Sequence, residues 1–166
     1  MKAWGAFALA AVVVVADQLT KLALVAWLPY GAEVDLLPGW VRLVHTRNRG
    51  VAFGMFDSPA AWMDGLRLAV VVAVAVFVVW QIVAGARGTI LVGLALVLGG
   101  AVGNLIDRLV RGEVVDYLDA FAVWGGSEHH WPAFNVADSA ITVGAALVLL
   151  AELLRPRGKA HVPDAS

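Results

Sequence analysis

Four long apolar segments, separated by polar connections, dominate the hydrophobic pattern of the chain. They cover about residues 3–28, 68–86, 88–109 and 134–154. Each is long enough for the ~20 helical residues that cross ~30 Å of hydrocarbon. The pattern predicts an all-α membrane protein with four transmembrane helices. We expect a single domain over residues 1–155, followed by a polar cytoplasmic tail over residues 156–166.

The first segment also resembles a secretory signal peptide, because a lysine and an apolar run precede small residues at cleavage-like positions. The apolar pattern resumes after Lys21, however, and the whole stretch is long enough for a span. We therefore expect this segment to be retained as the first helix.

The connections between the spans differ in length and character. The first contains the β-favouring runs EVDLL, WVRLVHTRN and GVAFGMF, separated by Pro38-Gly39, Gly50 and Gly54. It predicts a small antiparallel sheet, a cradle, at the membrane surface between helices 1 and 2. The second, around GARG, predicts a tight turn. We interpret the third, residues 111–132, as an outer loop.

Composition and charge narrow the class further. Hydrophobic residues make up 61% of the chain and the mean hydropathy is +0.81, well above the values of soluble domains. A net charge of −1 argues against nucleic acid as a partner. The absence of cysteine excludes disulfides and thiolate metal sites.

The distribution of positive charges predicts the orientation. Lys2 and the cluster RPRGK lie directly at span ends, whereas the first connection opens with Glu33 and Asp35. Because positive charges near span ends favour the cytoplasmic side, both termini are expected in the cytoplasm. The long connections then face outward, and five tryptophans near their ends are typical of an interfacial aromatic belt: Trp27, Trp40, Trp62, Trp124 and Trp131.

Several polar residues lie at one depth within the spans. With a rise of about 1.5 Å per residue, Asp17 lies ~21 Å above the inner end of the first span. Asn104 on the third span and Asp138 on the fourth lie at ~24 Å. A charged side chain in hydrocarbon costs about 2.5 to 3.5 kcal/mol on insertion scales. The shared depth therefore predicts a functional site just below the outer interface.

Structural explanations exist for these residues individually. Asp17 and Lys21 have the spacing of a helix ion pair. Asn135 is suited to cap the fourth helix, with Asp138 at its third position.

The remaining polar residues near this level also allow structural explanations. Asp107 and Arg108 are compatible with a pair that closes the third helix, and Asp119 with a solvated loop acid. His129 and His130 lack a third ligand at metal-binding spacing, so no metal site is predicted.

Carboxylates are the best candidates for chemistry. The chain has no thiol and no GxSxG motif, which argues against thiol and serine nucleophiles. Two aspartates that share a proton can activate water, because one accepts its proton while the other donates to the substrate carbonyl. Asp116, although it could be an ordinary loop acid, and Asp138 fit this role at the outer interface.

A non-enzymatic proton or ion pathway is the alternative class, since intramembrane acids also act as relays. It accounts equally well for Asp17, Lys21 and Asp107. It does not account for the confinement of the polar residues to the outer third of the spans.

Five short motifs occur in order along the chain: DQLTK (residues 17–21), NRGVAFG (48–54), GNLIDR (103–108), VVDY (114–117) and FNVADS (134–139). Together they resemble the lipoprotein signal peptidase family, signal peptidase II of bacteria, from the first span to the fourth. The resemblance implies a multi-pass aspartyl endopeptidase of the cytoplasmic (inner) membrane, with its site near the outer face and no cofactor. It implies cleavage of prolipoproteins before a diacylglyceryl-modified cysteine.

The resemblance also implies partners and residue roles. The partners are lipidated precursors, membrane lipid and globomycin-type inhibitors, and a monomer is expected. Asp116 and Asp138 are the catalytic pair by motif position. Residues implied to bind substrate or support the pair are Asn48, Gly50, Asn104, Asp107, Arg108, Asn135 and Ala137. Structural support is implied for Asp17, Lys21, Phe53 and Gly54. Tyr117 and Val51 depart from the residues usual in the family.

Overall fold

The structure is a computed structural model that describes residues 1–48 and 61–155. Its helices and strands follow in the order α1 (Ala3–Trp27), β1 (Glu33–Leu37), β2 (Val41–Asn48), α2 (Ala61–Val83), α3 (Gly88–Arg111), β3 (Val114–Trp124), β4 (Ser127–His130) and α4 (Val136–Leu153). Gly50, Val51, Phe53 and Gly54, and the predicted tail, lie outside the described residues.

The helices have the length and surface of membrane-crossing segments. Within the described residues, α1, α3 and α4 are each long and apolar enough to cross a bilayer, and α2 contributes a shorter apolar stretch, Leu68–Val83. Large apolar side chains such as Val12, Val76 and Leu149 are exposed on their outer faces. An apolar outer surface of this extent fits lipid contact.

Helix α3 lies at the centre and packs closely against its neighbours through glycines. A side chain at Gly99 would meet Val13 of α1 at 2.6 Å, and one at Gly100 would collide with the carbonyl oxygen of Ala137 on α4. Small residues let helix backbones approach closely where no hydrophobic effect drives association in lipid. The GNLIDR segment of α3 is thereby held between α1 and α4.

A four-stranded antiparallel sheet lies at one end of the helices, in the order β1-β2-β3-β4. Leu24 and Leu28 at the end of α1 form one buried cluster with Val115 and Tyr117 of β3. The sheet is therefore anchored to α1 by apolar packing. The Tyr117 hydroxyl also donates to the hydroxyl of Thr20 at 2.9 Å.

The structure corrects the predicted origin of the sheet. The sequence pattern predicts a sheet entirely between helices 1 and 2 and a loop over residues 111–132. In the structure those residues supply β3 and β4, half of the sheet. The run VVDYLDAFAVW is rich in β-favouring residues, and β3 supplies the backbone partners that β2 requires along its second edge. The short connection between α2 and α3 confirms the predicted tight turn.

Candidate active site

Asp116 lies on β3, which corrects its interpretation as a loop residue. It pairs in register with Thr46 of β2, and its side chain is almost fully buried. The Asn48 side chain donates to one carboxylate oxygen at 3.1 Å, and the Asn135 side chain donates to the other at 2.8 Å. Strand pairing and two amides thus fix the position of this carboxylate.

Asp138 lies in the first turn of α4, where the predicted cap is confirmed. The Asn135 side-chain oxygen accepts from the Asp138 backbone nitrogen at 2.9 Å, and the Asp138 carboxylate accepts from the Asn135 backbone nitrogen at 3.2 Å. The second carboxylate oxygen accepts from Asn104 of α3 at 2.7 Å. The capping geometry and the candidate site are therefore built from the same residues.

Asn135 brings the two aspartates together, because it bonds to both of them. Burial, and next to it the negative charge of Asp138, raise the pKa of Asp116 to about 7. The hydrogen bonds from Asn48 and Asn135 act in the opposite direction because they stabilise the ionised form. At neutral pH the pair is therefore poised near the point where Asp116 gains or loses its proton.

A buried charge cluster lies beneath this pair. The ammonium of Lys21 is 2.8 Å from Asp17 and 2.9 Å from Asp107, and all three side chains are fully buried. The predicted Asp17–Lys21 ion pair is confirmed. Asp107, interpreted as a partner of Arg108, instead pairs with Lys21 and with Arg111 one turn further along α3.

Gln18 and Arg111 belong to this cluster, although the sequence pattern predicts no role for them. The Gln18 amide nitrogen lies 3.1 Å from oxygens of Asp17, Gly103 and Asp107. Its side-chain oxygen accepts from Arg111 at 3.0 Å. Two signals could have pointed to them: Gln18 follows Asp17 directly, and Arg111 has the i, i+4 spacing to Asp107 that favours an ion pair.

A cleft of about 820 Å³ opens from the two aspartates between α2, α3 and α4. Asn48, Asn104 and Arg108 lie at its polar end. Its apolar walls include Val70, Val71 and Val74 of α2, Val97 and Ala101 of α3, and Ile141 and Val143 of α4. A cavity of this size, mostly apolar with convergent polar groups at one end, is suited to an amphipathic ligand.

Asp119 and His130 lie away from the candidate site, on the sheet. Asp119 is buried, which corrects its interpretation as a solvated loop acid, and its carboxylate lies 2.9 Å from a ring nitrogen of His130. His129 and His130 are exposed residues of β4 and not part of a loop. Among the described residues, no group of three or more His, Asp or Glu side chains is arranged to hold a metal ion.

Helices of membrane-crossing length around a cleft that holds two carboxylates are suited to the chemistry of a membrane-embedded aspartic peptidase. The model of one family, signal peptidase (SPase) II, matches residues 9–154. The chain therefore belongs to the signal peptidase II family, and the resemblance of its five motifs is confirmed.

Individual relatives agree with this assignment. The chain is 42% identical over 151 residues to a lipoprotein signal peptidase of Paraburkholderia phymatum, covering 90% of this chain and 87% of the relative. It is 43% identical over 156 residues to a lipoprotein signal peptidase of Cupriavidus necator, and the match covers 93% of this chain and 85% of the relative. A solved bacterial membrane enzyme superposes with a TM-score of 0.81 at 28% identity, over 95% of this chain and 93% of that one.

These findings support a lipoprotein signal peptidase, an aspartic-type peptidase of bacterial membranes that acts on prolipoproteins. The alternative class, a non-enzymatic ion pathway, is set aside because the family is one of peptidases.

Proposed function

We propose that the chain removes the signal peptide of prolipoproteins by hydrolysing the peptide bond before the diacylglyceryl-modified cysteine, with Asp116 and Asp138 as the catalytic pair. The observation that carries the proposal is the position of Asn135, which hydrogen-bonds both carboxylates at the polar end of the cleft. Each of the four carboxylate oxygens of Asp116 and Asp138 accepts a hydrogen bond from an N–H group, so both side chains are held in place for reaction.

The raised pKa of Asp116 supports this residue as the acid of the pair. Protonated Asp116 donates its proton to the oxygen of the scissile carbonyl, while ionised Asp138 accepts a proton from the attacking water. A bond forms between the water oxygen and the carbonyl carbon. The tetrahedral intermediate then collapses: Asp138 returns its proton to the leaving nitrogen, the carbon–nitrogen bond breaks, and Asp116 recovers its proton from the new hydroxyl group.

Asn48 and Asn104 support this pair more directly than they serve substrate, because their amide nitrogens bond Asp116 and Asp138. Arg108 lines the cleft and donates to the backbone oxygen of Asn104 at 3.3 Å, so it is placed beside the entering peptide. The apolar walls of the cleft are suited to the acyl chains and to the signal-peptide helix. Globomycin-type inhibitors would occupy the same cleft.

Exposed tryptophans support a transmembrane placement of α1 and α2. Trp4 and Trp27 stand at opposite ends of α1, about 34 Å apart at ~1.5 Å per residue, and Trp62 and Trp80 stand about 27 Å apart on α2. Both separations match a hydrocarbon core of ~30 Å bounded by two aromatic belts. With Lys2 on the cytoplasmic side, the sheet and the aspartates lie at the outer face.

The test is cleavage of a diacylglyceryl-modified precursor by the purified full chain in detergent. The proposal expects one cut, directly before the modified cysteine, identified by mass spectrometry of both products. A cut elsewhere, or no cut by a chain that remains folded, would contradict it.

A further inference from the structure

The ammonium of Lys21 contacts three oxygen atoms from three different side chains. They belong to Asp17 at 2.8 Å, Asp107 at 2.9 Å and Asn104 at 3.0 Å. An ammonium group has three donors and no acceptor. Two contacts, with Asp17 and Asn104, are hydrogen bonds, and the contact with Asp107 is an ion pair. Lys21 is fully buried, and water offers no substitute for any of the three partners.

The contact between Lys21 and Asn104 determines which end of the Asn104 amide faces Asp138. An amide side chain can face either way, and its partners decide which end carries the oxygen. Because Lys21 can only donate, the amide oxygen of Asn104 must face it. The amide nitrogen is then directed at the Asp138 carboxylate, 2.7 Å away. The reversed amide would place an NH₂ group against the ammonium and an oxygen against the carboxylate.

Asn135 has its own orienting contact and does not depend on Lys21 in the same way. Its side-chain oxygen accepts from the backbone nitrogen of Asp138 at 2.9 Å, a donor that cannot reverse. Its nitrogen must therefore face Asp116. That nitrogen also lies 3.3 Å from the Asn104 oxygen, but it is shared with Asp116 and with the carbonyl of Val115. Lys21 is thus the closer of the two donors to the Asn104 oxygen, and the one that carries a charge.

We propose that Lys21 is a positioning residue: its buried ammonium fixes the orientation of the Asn104 amide, so that this amide presents a donor and not an acceptor to Asp138. The inference rests on the proposed function of Asp116 and Asp138. It assigns Lys21 a role in the chemistry of the pair that an ion pair with Asp17 alone does not imply.

The charge of Lys21 also acts on the pair. Within residues 1–48 and 61–155, the charged groups near Asp116 include Asp138 of α4, Lys21 of α1 with its partners Asp17 and Asp107, and two arginines that line the same cleft, Arg47 and Arg108. Among these, the positive charge of Lys21 lowers the pKa of Asp116. Removal of that charge should therefore shift the loss of the Asp116 proton to higher pH.

Lys21→Met tests the inference, with Lys2→Met as the matched control at the exposed start of α1. Loss of the oriented donor should lower kcat about 10- to 100-fold, the effect of one hydrogen bond to a charged group. The alkaline limb of the pH–rate profile should move up by about 0.5 to 1 pH unit, at the lower end of the usual effect of a nearby charge. Lys2→Met should change neither kcat nor the position of the alkaline limb.

A double-mutant cycle separates positioning from packing. In an Asn104→Ala background, Lys21→Met should lower kcat by less than about 3-fold further, because the amide that it orients is absent. If the two losses multiply, or if the alkaline limb of Lys21→Met stays at the wild-type pH, the inference is wrong. If Lys21→Met does not fold, Asp17→Asn/Lys21→Met carries the same test, since Arg111 still faces Asp107.

The controls distinguish this inference from the proposed function. Absence of cleavage by the wild type and by Lys2→Met would contradict the proposed function itself. Cleavage by both, with wild-type kcat and pH profile in the Lys21 variant, would contradict only the role of Lys21.

Discussion

The carboxylate of Asp17, on α1, accepts a hydrogen bond from the backbone nitrogen of Ala137, 120 residues further along the chain, at 3.0 Å. Ala137 is the second residue of α4, and its N–H is one of those that the helix cannot satisfy internally. The other Asp17 oxygen bonds Lys21 at 2.8 Å. One carboxylate therefore joins the start of the helix that carries Asp138 to the buried charge cluster.

Asp17→Ala should destabilise the protein strongly, because it removes one buried carboxylate partner of the Lys21 ammonium and the acceptor of the Ala137 nitrogen. Breaking a buried ion pair on one side costs about 3 to 5 kcal/mol. Thermal unfolding in detergent measures the effect. The control is Asp35→Ala, whose side chain is 55% exposed and whose contact with Arg42 is long at 3.8 Å. Equal unfolding temperatures for the two variants would contradict the role of Asp17.

Asp116→Asn and Asp138→Asn should each lower kcat at least about 10³-fold, because an amide can neither accept the water proton nor donate as the acid does. Both variants should still fold. Asp119→Asn is the matched control: it lies on the opposite side of β3, and an amide oxygen can still accept from His130. Single-turnover cleavage of the lipidated precursor measures all three. Near-normal rates for Asp116→Asn or Asp138→Asn would remove that residue from the mechanism.

The pH dependence of kcat/KM should show a decline above pH about 7. Burial and the Asp138 charge raise the pKa of Asp116 to about 7, so the proton that it donates is present below this pH and lost above it. The pH dependence of kcat/KM, measured with the purified chain in detergent, tests this decline. Asp119→Asn should show the same pH dependence as the wild type. A rate that is constant up to about pH 9 would show that Asp116 does not act as the acid.

Gly100→Ala should lower both stability and activity, since the added methyl group collides with the carbonyl oxygen of Ala137. Overpacking of this kind costs about 1 to 3 kcal/mol and would displace the start of α4, next to Asp138. Gly65→Ala is the control within α2, where no described atom outside the local helix backbone lies within 4 Å of the added carbon. It should be neutral or stabilising by up to about 1 kcal/mol. Equal unfolding temperatures would contradict the close packing of α3 on α4.

A diacylglyceryl group on the precursor should accelerate cleavage greatly, because the site lies near one end of helices that cross the bilayer. Each buried CH₂ contributes ~0.8 kcal/mol to membrane attachment, so two acyl chains hold the scissile bond at that level. Lipidated and unlipidated precursors compared at equal detergent concentration give the ratio of kcat/KM. Equal values would show that lipid does not position the substrate.

The helices and the local geometry of the site residues follow from the amino-acid pattern along the chain. Apolar length sets the helices, because a bilayer core requires internally bonded segments of fixed span. The i, i+4 spacing of Asp17 and Lys21 predicts their ion pair. The three-residue spacing of Asn135 and Asp138 predicts the N-terminal cap of α4. These features depend on residues within one turn of each other, so the pattern along the chain is sufficient to predict them.

Which of these residues come into contact depends on the packing of distant segments. Asp107 pairs with Lys21 and not with its neighbour Arg108, because α3 presents it to α1 across a glycine-lined contact. Residues 111–132 form strands because the edge of β2 offers backbone partners that lie far away in sequence. Asp116 reaches Asn135 only through that pairing. Contacts between distant segments depend on the packing of whole helices and strands, and no local pattern in the sequence encodes their register.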